Sequence, residues 1–414
     1  MADETFDNQQ PENAADGDDA DALELEPDGD EPLYTGRKSR PRKPERAAPA
    51  SSNPTQPPHL GPRQDDATHR DRMSSHELAT VLSHYDIGII ERLREYPRGS
   101  RRSPKVRILT RTGEYLLKRR SPAQNPYRVA FSHRLQLHLA DSGFPVARLI
   151  GTRSDNNSMV QQDNFVYEMF EYVRGQFFCA SNRESQYAGF TMGRLHGLLA
   201  AHEIIYNPPE GTYHAAPGIF KHIAAIPQAV TTVDVDADEA DLLATCAYLR
   251  NAYEQAVAHV DAAGFNTWQK SVIHGDWHPG NLLFNDAHKV IAVLDFDSAR
   301  LEHRTADLAN GALQFAMLIG DTDDPLTWPD GLASERLRAF VRGYDQAARV
   351  KLSDAELSVL PWLIVEALVA ESVVPIAQTG RFARLAGQPF LTMIERKVRW
   401  IEPRAEKLCL FLKE

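Results

Sequence analysis

The chain has 414 residues, 42% of them apolar and 25% charged, the balance of a soluble globular protein long enough for two or three domains. Its formal net charge of −11 is unevenly placed: Met1–Glu31 holds 13 acidic residues and no Lys or Arg, which leaves the remainder nearly neutral. Three scattered cysteines, Cys179, Cys246 and Cys409, fit no disulfide or metal pattern, and no apolar leader stands at the N-terminus, so a cytoplasmic location is expected.

Residues 1–74 read as a disordered tail. After the acidic stretch comes a basic block at 37–46, with Arg37, Lys38, Arg40, Arg42, Lys43 and Arg46, and then a run bearing Pro and Ser. Such segments bury too little apolar surface to offset the entropy of ordering. The basic block is a weak candidate for contact with nucleic acid or anionic lipid. A solvated tail whose two halves attract each other explains it more simply, and no membrane partner is expected. Ordered structure is expected from Ser74-Ser75, an N-cap pair before a short helix. Runs at Ile89–Tyr96, Lys105–Arg111 and Glu114–Arg119, with Thr112-Gly113 between the last two, predict an antiparallel meander. Pro126–Ser142 predicts a helix closed by Gly143, and Val146–Ile150 and Met159–Tyr172 predict further strands. From about Gln176 the pattern turns helical, with helices expected at Ser185–Ala201, Ala237–Ala263, Thr305–Ile319, Leu332–Ala348, Ser353–Gln378 and Pro389–Phe411. The most apolar stretch, Leu360–Ala377, is interrupted by Glu366 and Glu371, which suits a buried helix better than a membrane span.

The chemistry gathers in Ser271–Arg300, SVIHGDWHPGNLLFNDAHKVIAVLDFDSAR, which reads as strand, loop, strand, turn, strand. His274, Asp276, His278, Asn281 and Asp295 collect at one edge of it. Phosphoryl transfer needs such a set: a carboxylate to accept the proton of an attacking hydroxyl, and an amide oxygen with a second carboxylate to hold Mg2+ on nucleotide phosphates. Asp276 and Asn281 stand five apart, as do the Asp and Asn of the kinase catalytic loop. Another reading of the same residues is a transition-metal cluster built on the alternation His274-x-Asp276-x-His278.

The run His-Gly-Asp-Trp-His-Pro-Gly-Asn at 274–281, followed by Leu-Asp-Phe-Asp at 294–297, resembles the aminoglycoside phosphotransferase and choline kinase superfamily, with its homoserine kinase-like and spore-coat-kinase-like members. The resemblance implies an α+β, two-lobed protein-kinase-like fold. A small antiparallel β lobe would occupy 75–173, and a larger, mainly helical catalytic and substrate lobe 174–414. It implies ATP and Mg2+ as cofactors, Asp276 as the catalytic base, Asn281 and Asp295 as Mg2+ ligands, and His274 and His278 as the residues that shape the catalytic loop. Carried upstream, it places Lys118 on the phosphates, Gly99 and Ser100 in the loop above them, and Glu168, Met169 and Phe170 in the hinge that holds adenine. The superfamily's helix Glu that pairs with this Lys is missing: 131–136 reads Phe-Ser-His-Arg-Leu-Gln, with Gln136 or an acid from elsewhere as the substitute. The implied activity is phosphorylation of a hydroxyl on a small molecule. Only Ser298–Arg304 separates Asp297 from the next helical pattern, and no Ala-Pro-Glu platform for a peptide follows. A protein Ser/Thr kinase of the same superfamily and a nucleotide-binding pseudokinase are the alternatives.

Overall fold

Ser74 opens the first element. Its hydroxyl accepts the Glu77 N–H while the Glu77 carboxylate accepts the Ser74 N–H, which satisfies two donors that a helix start leaves unpaired. The structure, a computed structural model, describes residues 71–413 apart from 98, 100–101, 121–124, 201–207 and 210. All but the end of the expected tail, its basic block at 37–46 and Ser100 lie outside the described residues.

Helix α1 (Ser75–Leu82) precedes strands β1 (Ile90–Tyr96), β2 (Lys105–Thr110) and β3 (Glu114–Arg119), the expected meander. Helix α2 (Pro126–Asp141) follows, then β4 (Val160–Gln162) and β5 (Phe165–Glu171). The sheet order is β1-β2-β3-β5-β4, with every neighbouring pair antiparallel. Met159–Tyr172, which reads as one strand, is broken by Asp163 in the left-handed conformation (φ 52). Val146–Ile150 contributes isolated bridges, Val146 to Val293 and Leu149 to Phe170. Leu78, Val81, Val106, Ile108, Leu117 and Met169 close a small core between α1 and the sheet. The apolar face of α2 does not join it: Phe131, Leu135 and Leu139 pack into the larger core.

That larger core is built by α3 (Asn182–Leu199), α4 (Ile219–Val233) and α5 (Glu239–Ala262), then β6 (Lys270–Ile273), β7 (Leu282–Phe284), β8 (Val290–Val293) and β9 (Arg300–His303). Next come α6 (Arg304–Ala316), α7 (Ser334–Ala347), α8 (Asp354–Thr379), the short pair β10 (Arg381–Phe382) and β11 (Leu385–Ala386), and helices α9 (Gly387–Ile401) and α10 (Ala405–Lys413). Helix α4 carries Pro227 inside it, which masks the helical pattern in the sequence; Ile219, Ile223, Ile226 and Val230 still bury one face. Strand β9 lies in what reads as a connector and pairs with β6. Helix α8 is long and apolar enough to cross a bilayer, but 78% of its apolar window is buried inside the fold. It is the central strut of the helical core.

Helices α3 and α7 approach so closely that a Cβ on Gly189 would collide with the Phe340 carbonyl, and one on Gly343 with the Gln186 carbonyl. Gly189→Ala is therefore expected to destabilise the fold by about 1–3 kcal/mol through overpacking, read as a lower urea midpoint. An unchanged midpoint would show that the two helices can move apart without loss.

Candidate active site

Side chains alternate along β3, so Leu117 and Arg119 leave on one face and Lys118 and Arg120 on the other. Leu117 enters the small core, and Arg119 reaches Glu77 of α1 at 3.0 Å. Lys118 lies opposite Glu168 in the β3–β5 register, with Nζ 3.3 Å from Oε1. Arg120 Nη2 donates to Glu168 Oε2 at 2.8 Å. From α2, His133 Nε2 stands 2.6 Å from the same oxygen, and its Nδ1 stands 2.9 Å from Ser158 Oγ. Glu168 is wholly buried. Burial alone would raise its pKa; Lys118 and Arg120, and then His133, bring the carboxyl down to about 2. The missing helix Glu is thus replaced in two parts: β5 supplies the acid, and α2 supplies an imidazole that braces it. Gln136 does not take that place, since its amide donates to the Ser132 carbonyl of its own helix at 3.3 Å.

Asp297 closes the cluster from the other side. Lys118 Nζ donates to its Oδ2 at 3.0 Å and lies 3.7 Å from Asp295 Oδ1. Arg120 reaches Asp297 Oδ1 at 2.6 Å. Against the penalty of burial, Lys118 and Arg120 hold the Asp297 carboxyl far below the usual carboxylate range. Lys105 stands opposite Lys118 on β2, and burial first, then Lys118, bring its amine down to about 8. Gly99, in the turn above, sits at φ +88, a backbone conformation that favours glycine. Coulomb attraction in an ion pair such as Lys118–Glu168, at an effective dielectric near 20, is roughly 5 kcal/mol, comparable to the several kcal/mol needed to desolvate each ion. The cluster therefore fixes the position of Lys118 more than it adds net stability.

The catalytic loop leaves β6 and enters β7. Asp307 of α6, 1% exposed, accepts the N–H groups of His274 and Gly275, each at 3.0 Å. It also bonds His196 Nε2 of α3 at 3.0 Å, and His196 Nδ1 meets the Tyr344 hydroxyl of α7 at 2.9 Å. Three helices thus hold one loop through one carboxylate. His274 Nδ1 accepts the Asp276 N–H at 3.3 Å, and its Nε2–H donates to the Leu294 carbonyl at 3.1 Å. The ring is neutral, with its pKa lowered by burial. Both ring nitrogens are occupied, which overturns the transition-metal reading of His274-x-Asp276-x-His278. His278 caps the turn 279–281 by accepting the Gly280 N–H at 3.0 Å, and its Nε2 is 3.5 Å from Asp276 Oδ2. Both histidines therefore position the loop.

Asn281 Nδ2 donates to the Asp276 carbonyl at 3.0 Å and to its Oδ2 at 3.1 Å. This turns Asn281 Oδ1 away from Asp276. Asn281 Oδ1 and the Asp295 carboxylate are both oxygen donors, the type a hard divalent cation takes. Asp295 sits at φ 59, ψ 76, a left-handed conformation that costs a non-glycine residue about 1–3 kcal/mol and is retained where a side chain must be aimed. The expected hinge needs correction. Glu168 lies mid-strand with its carboxylate on Lys118, the Met169 carbonyl accepts the Ile150 N–H at 2.8 Å, and Phe170 bridges to Leu149. Backbone already paired in a sheet cannot meet an adenine edge. The segment that leaves the sheet is 172–175, between the Tyr172–Glu114 bond and the Gln176–Phe284 bridge.

Glu168→Gln is expected to cost about 3–5 kcal/mol at neutral pH, because it leaves buried cations without their shared partner. The folded-state value lies below the ordinary 4.5. The stabilisation is therefore complete above that pH and is lost as pH falls towards 2, so wild type and variant should converge in urea unfolding on acidification. Gln136→Leu should leave stability and nucleotide affinity as they are. A large effect of Gln136→Leu with none of Glu168→Gln would reverse the assignment.

Comparison with known proteins bears on the fold and the family. A microcompartment-associated aminopropanol kinase is 16% identical with a TM-score of 0.62, over 82% of this chain and 100% of that one. An aminoglycoside phosphotransferase from Alicyclobacillus acidocaldarius is 18% identical with a TM-score of 0.56, over 81% and 95%. An amicoumacin kinase solved with AMP-PNP and Ca2+ is 15% identical with a TM-score of 0.56, over 80% and 92%. At these identities the likeness shows the fold, the two-lobed kinase-like α+β architecture that the sequence implies. No curated protein sequence matches. The model of the phosphotransferase enzyme family matches residues 93–353, and the chain belongs to that family.

Proposed function

We propose that the chain uses ATP with Mg2+ to phosphorylate a hydroxyl group of a small molecule. The observation that carries this reading is a lysine held between the buried Glu168 and the half-buried Asp297, 3.7 Å from Asp295, beside a loop in which Asn281 orients Asp276. In this reading Lys118 and Lys105 offset the charge of the phosphates, and the backbone of 172–175 meets the adenine. Asn281 and Asp295 would hold Mg2+, which neutralises phosphate oxygens when bound. Asp276 accepts the proton of the acceptor hydroxyl as its oxygen bonds to the γ-phosphorus; the bond from that phosphorus to the β,γ-bridging oxygen breaks and ADP leaves. Asp297 takes no proton in this scheme, because Lys118 and Arg120 keep it ionised.

A small acceptor is favoured over a peptide by the path of the chain after Asp297. Its residues 300–303 are taken up in pairing with β6, and α6 begins at Arg304. No length is left for the extended platform on which protein kinases lay a peptide. The names of the similar structures, an aminopropanol kinase and an aminoglycoside phosphotransferase, point the same way.

Asp276→Asn should lower turnover by about 10²–10⁴-fold, the range for loss of a positioned base, with nucleotide affinity within a few-fold of wild type. Asp295→Ala should instead abolish the Mg2+ dependence of ATP binding. Both are read by ADP release and calorimetry across a panel of small alcohols and one Ser/Thr peptide. A wild-type rate in Asp276→Asn, or preference for the peptide, would contradict the proposal. Tight ATP binding with no turnover on any acceptor would make the chain a pseudokinase.

A further inference from the structure

Three side chains of metal-ligand type, none of them part of the candidate active site, meet from two distant segments. Cys179 and Glu184 flank the start of α3, and His288 stands in the turn between β7 and β8. Their ligand atoms all lie within 4.8 Å of one another. Glu184 Oε2 accepts the Cys179 N–H at 2.7 Å, and Oε1 lies 3.1 Å from His288 Nδ1. The surroundings fix both segments. Phe178 carries Cys179 against β7, its ring 6.2 Å from that of Phe284. Asn285 closes the turn: its Oδ1 accepts the Ala287 and Lys289 N–H groups at 3.1 and 3.0 Å, and its carbonyl accepts the His288 N–H at 2.8 Å. Gln176 Nε2 donates to Asp286 Oδ1 at 2.8 Å and ties the turn to the chain just before Cys179.

The Glu184 side chain is 2% exposed, and among the described residues no Lys or Arg pairs with it; its ion-pair partner is the half-exposed His288. The start of α3 favours its charge. Glu168, buried to a similar degree, takes two cations and an imidazole, so Glu184 lacks a comparable counter-charge. The cluster is open to solvent at the exposed Cys179, where a cation can enter. The donor set names the ion. A thiolate, an imidazole and a single carboxylate suit zinc, with water as the fourth ligand, whereas magnesium takes oxygen ligands. In a tetrahedron with bonds of about 2.0–2.3 Å the ligand atoms stand about 3.3–3.8 Å apart. Glu184 Oε1 and His288 Nδ1 already stand close to such an edge, and the exposed Cys179 can turn in to meet it. We propose that Cys179, Glu184 and His288 form a zinc-binding site that staples the β7–β8 turn to the start of α3. As the bonds form, the Cys179 thiol proton passes to solvent and His288 binds as the neutral ring; thiolate and carboxylate then balance the charge of the ion. The stapled hairpin lies between Asn281 and Asp295 in the chain, yet the site does not depend on the phosphotransfer reading. Cysteine spacing cannot show it, because Glu184 and His288 are 104 residues apart.

The test uses the untagged full chain, stripped with a chelator and held in excess Mg2+ so that sites built from oxygen alone are occupied. Titration with Zn2+ is expected to give one ion per chain and a higher urea midpoint. Co2+ in its place should give a thiolate-to-cobalt charge-transfer band. Cys179→Ser should abolish that band. Cys179→Ser and His288→Asn, the latter suited to the left-handed backbone at 288 (φ 60), should each weaken zinc binding by at least about 10–100-fold, the cost of losing even a supporting group. Urea unfolding of the metal-free variants shows that they are folded. No zinc binding, no charge-transfer band, or wild-type affinity in either folded variant would overturn the site. Binding without a rise in the urea midpoint would show that the unfolded chain takes the ion as readily, which contradicts a preformed staple. Should one variant not fold, the other variant and the wild-type cobalt band decide.

Discussion

The pairing of Lys118 with Glu168 across β3 and β5 is the constraint on which the site depends. Two cations and two carboxylates meet there, with Arg120 and Asp297 completing the set, and none can be removed without leaving a buried charge uncompensated. The arrangement ties three parts of the chain together: the small sheet through β3 and β5, helix α2 through His133, and the segment after β8 through Asp297. Because attraction and desolvation nearly cancel, what the cluster contributes is geometry. A lysine flanked by Glu168, Asp295 and Asp297 has little freedom to leave its post.

The catalytic loop is held by a similar device on a different carboxylate. Asp307 receives two loop N–H groups and a histidine from α3, while that histidine is steadied by Tyr344 of α7. Helices α3 and α7 can supply these groups together only because glycines let their backbones approach so closely. Packing far from the chemistry thereby sets the orientation of Asp276. The left-handed Asp295 is the complementary feature, a strained residue kept in place by the strands and turn on either side of it.

Much of this was legible in the chain. The run from His274 to Asn281 with Asp295 marks the site because each residue type answers one demand of phosphoryl transfer at a fixed local spacing. The meander also followed from alternation and a Thr-Gly turn. What escaped depends on register and tertiary contact. Nothing local says that Glu168 faces Lys118, since the pairing joins strands some fifty residues apart, and so Glu168 reads equally well as part of a hinge. His133 and Asp307 carry no motif; each is a polar side chain whose partner comes from a distant segment. Helix α4 was hidden by Pro227, and β9 by its brevity. Arg120 was readable in principle, because period-two alternation puts it on the same face as Lys118.

The most direct measurement of the central claim is the affinity of Lys118→Met for Mg-ATP, together with its turnover on an accepted alcohol. If Glu168 and Asp297 exist to aim this amine at the phosphates, turnover should fall by at least about a hundredfold, the scale for loss of a positioned charge at a developing anion, with a clear loss of Mg-ATP affinity. Wild-type affinity and turnover in Lys118→Met would show that the cluster is only a structural knot, and that the phosphates are held elsewhere.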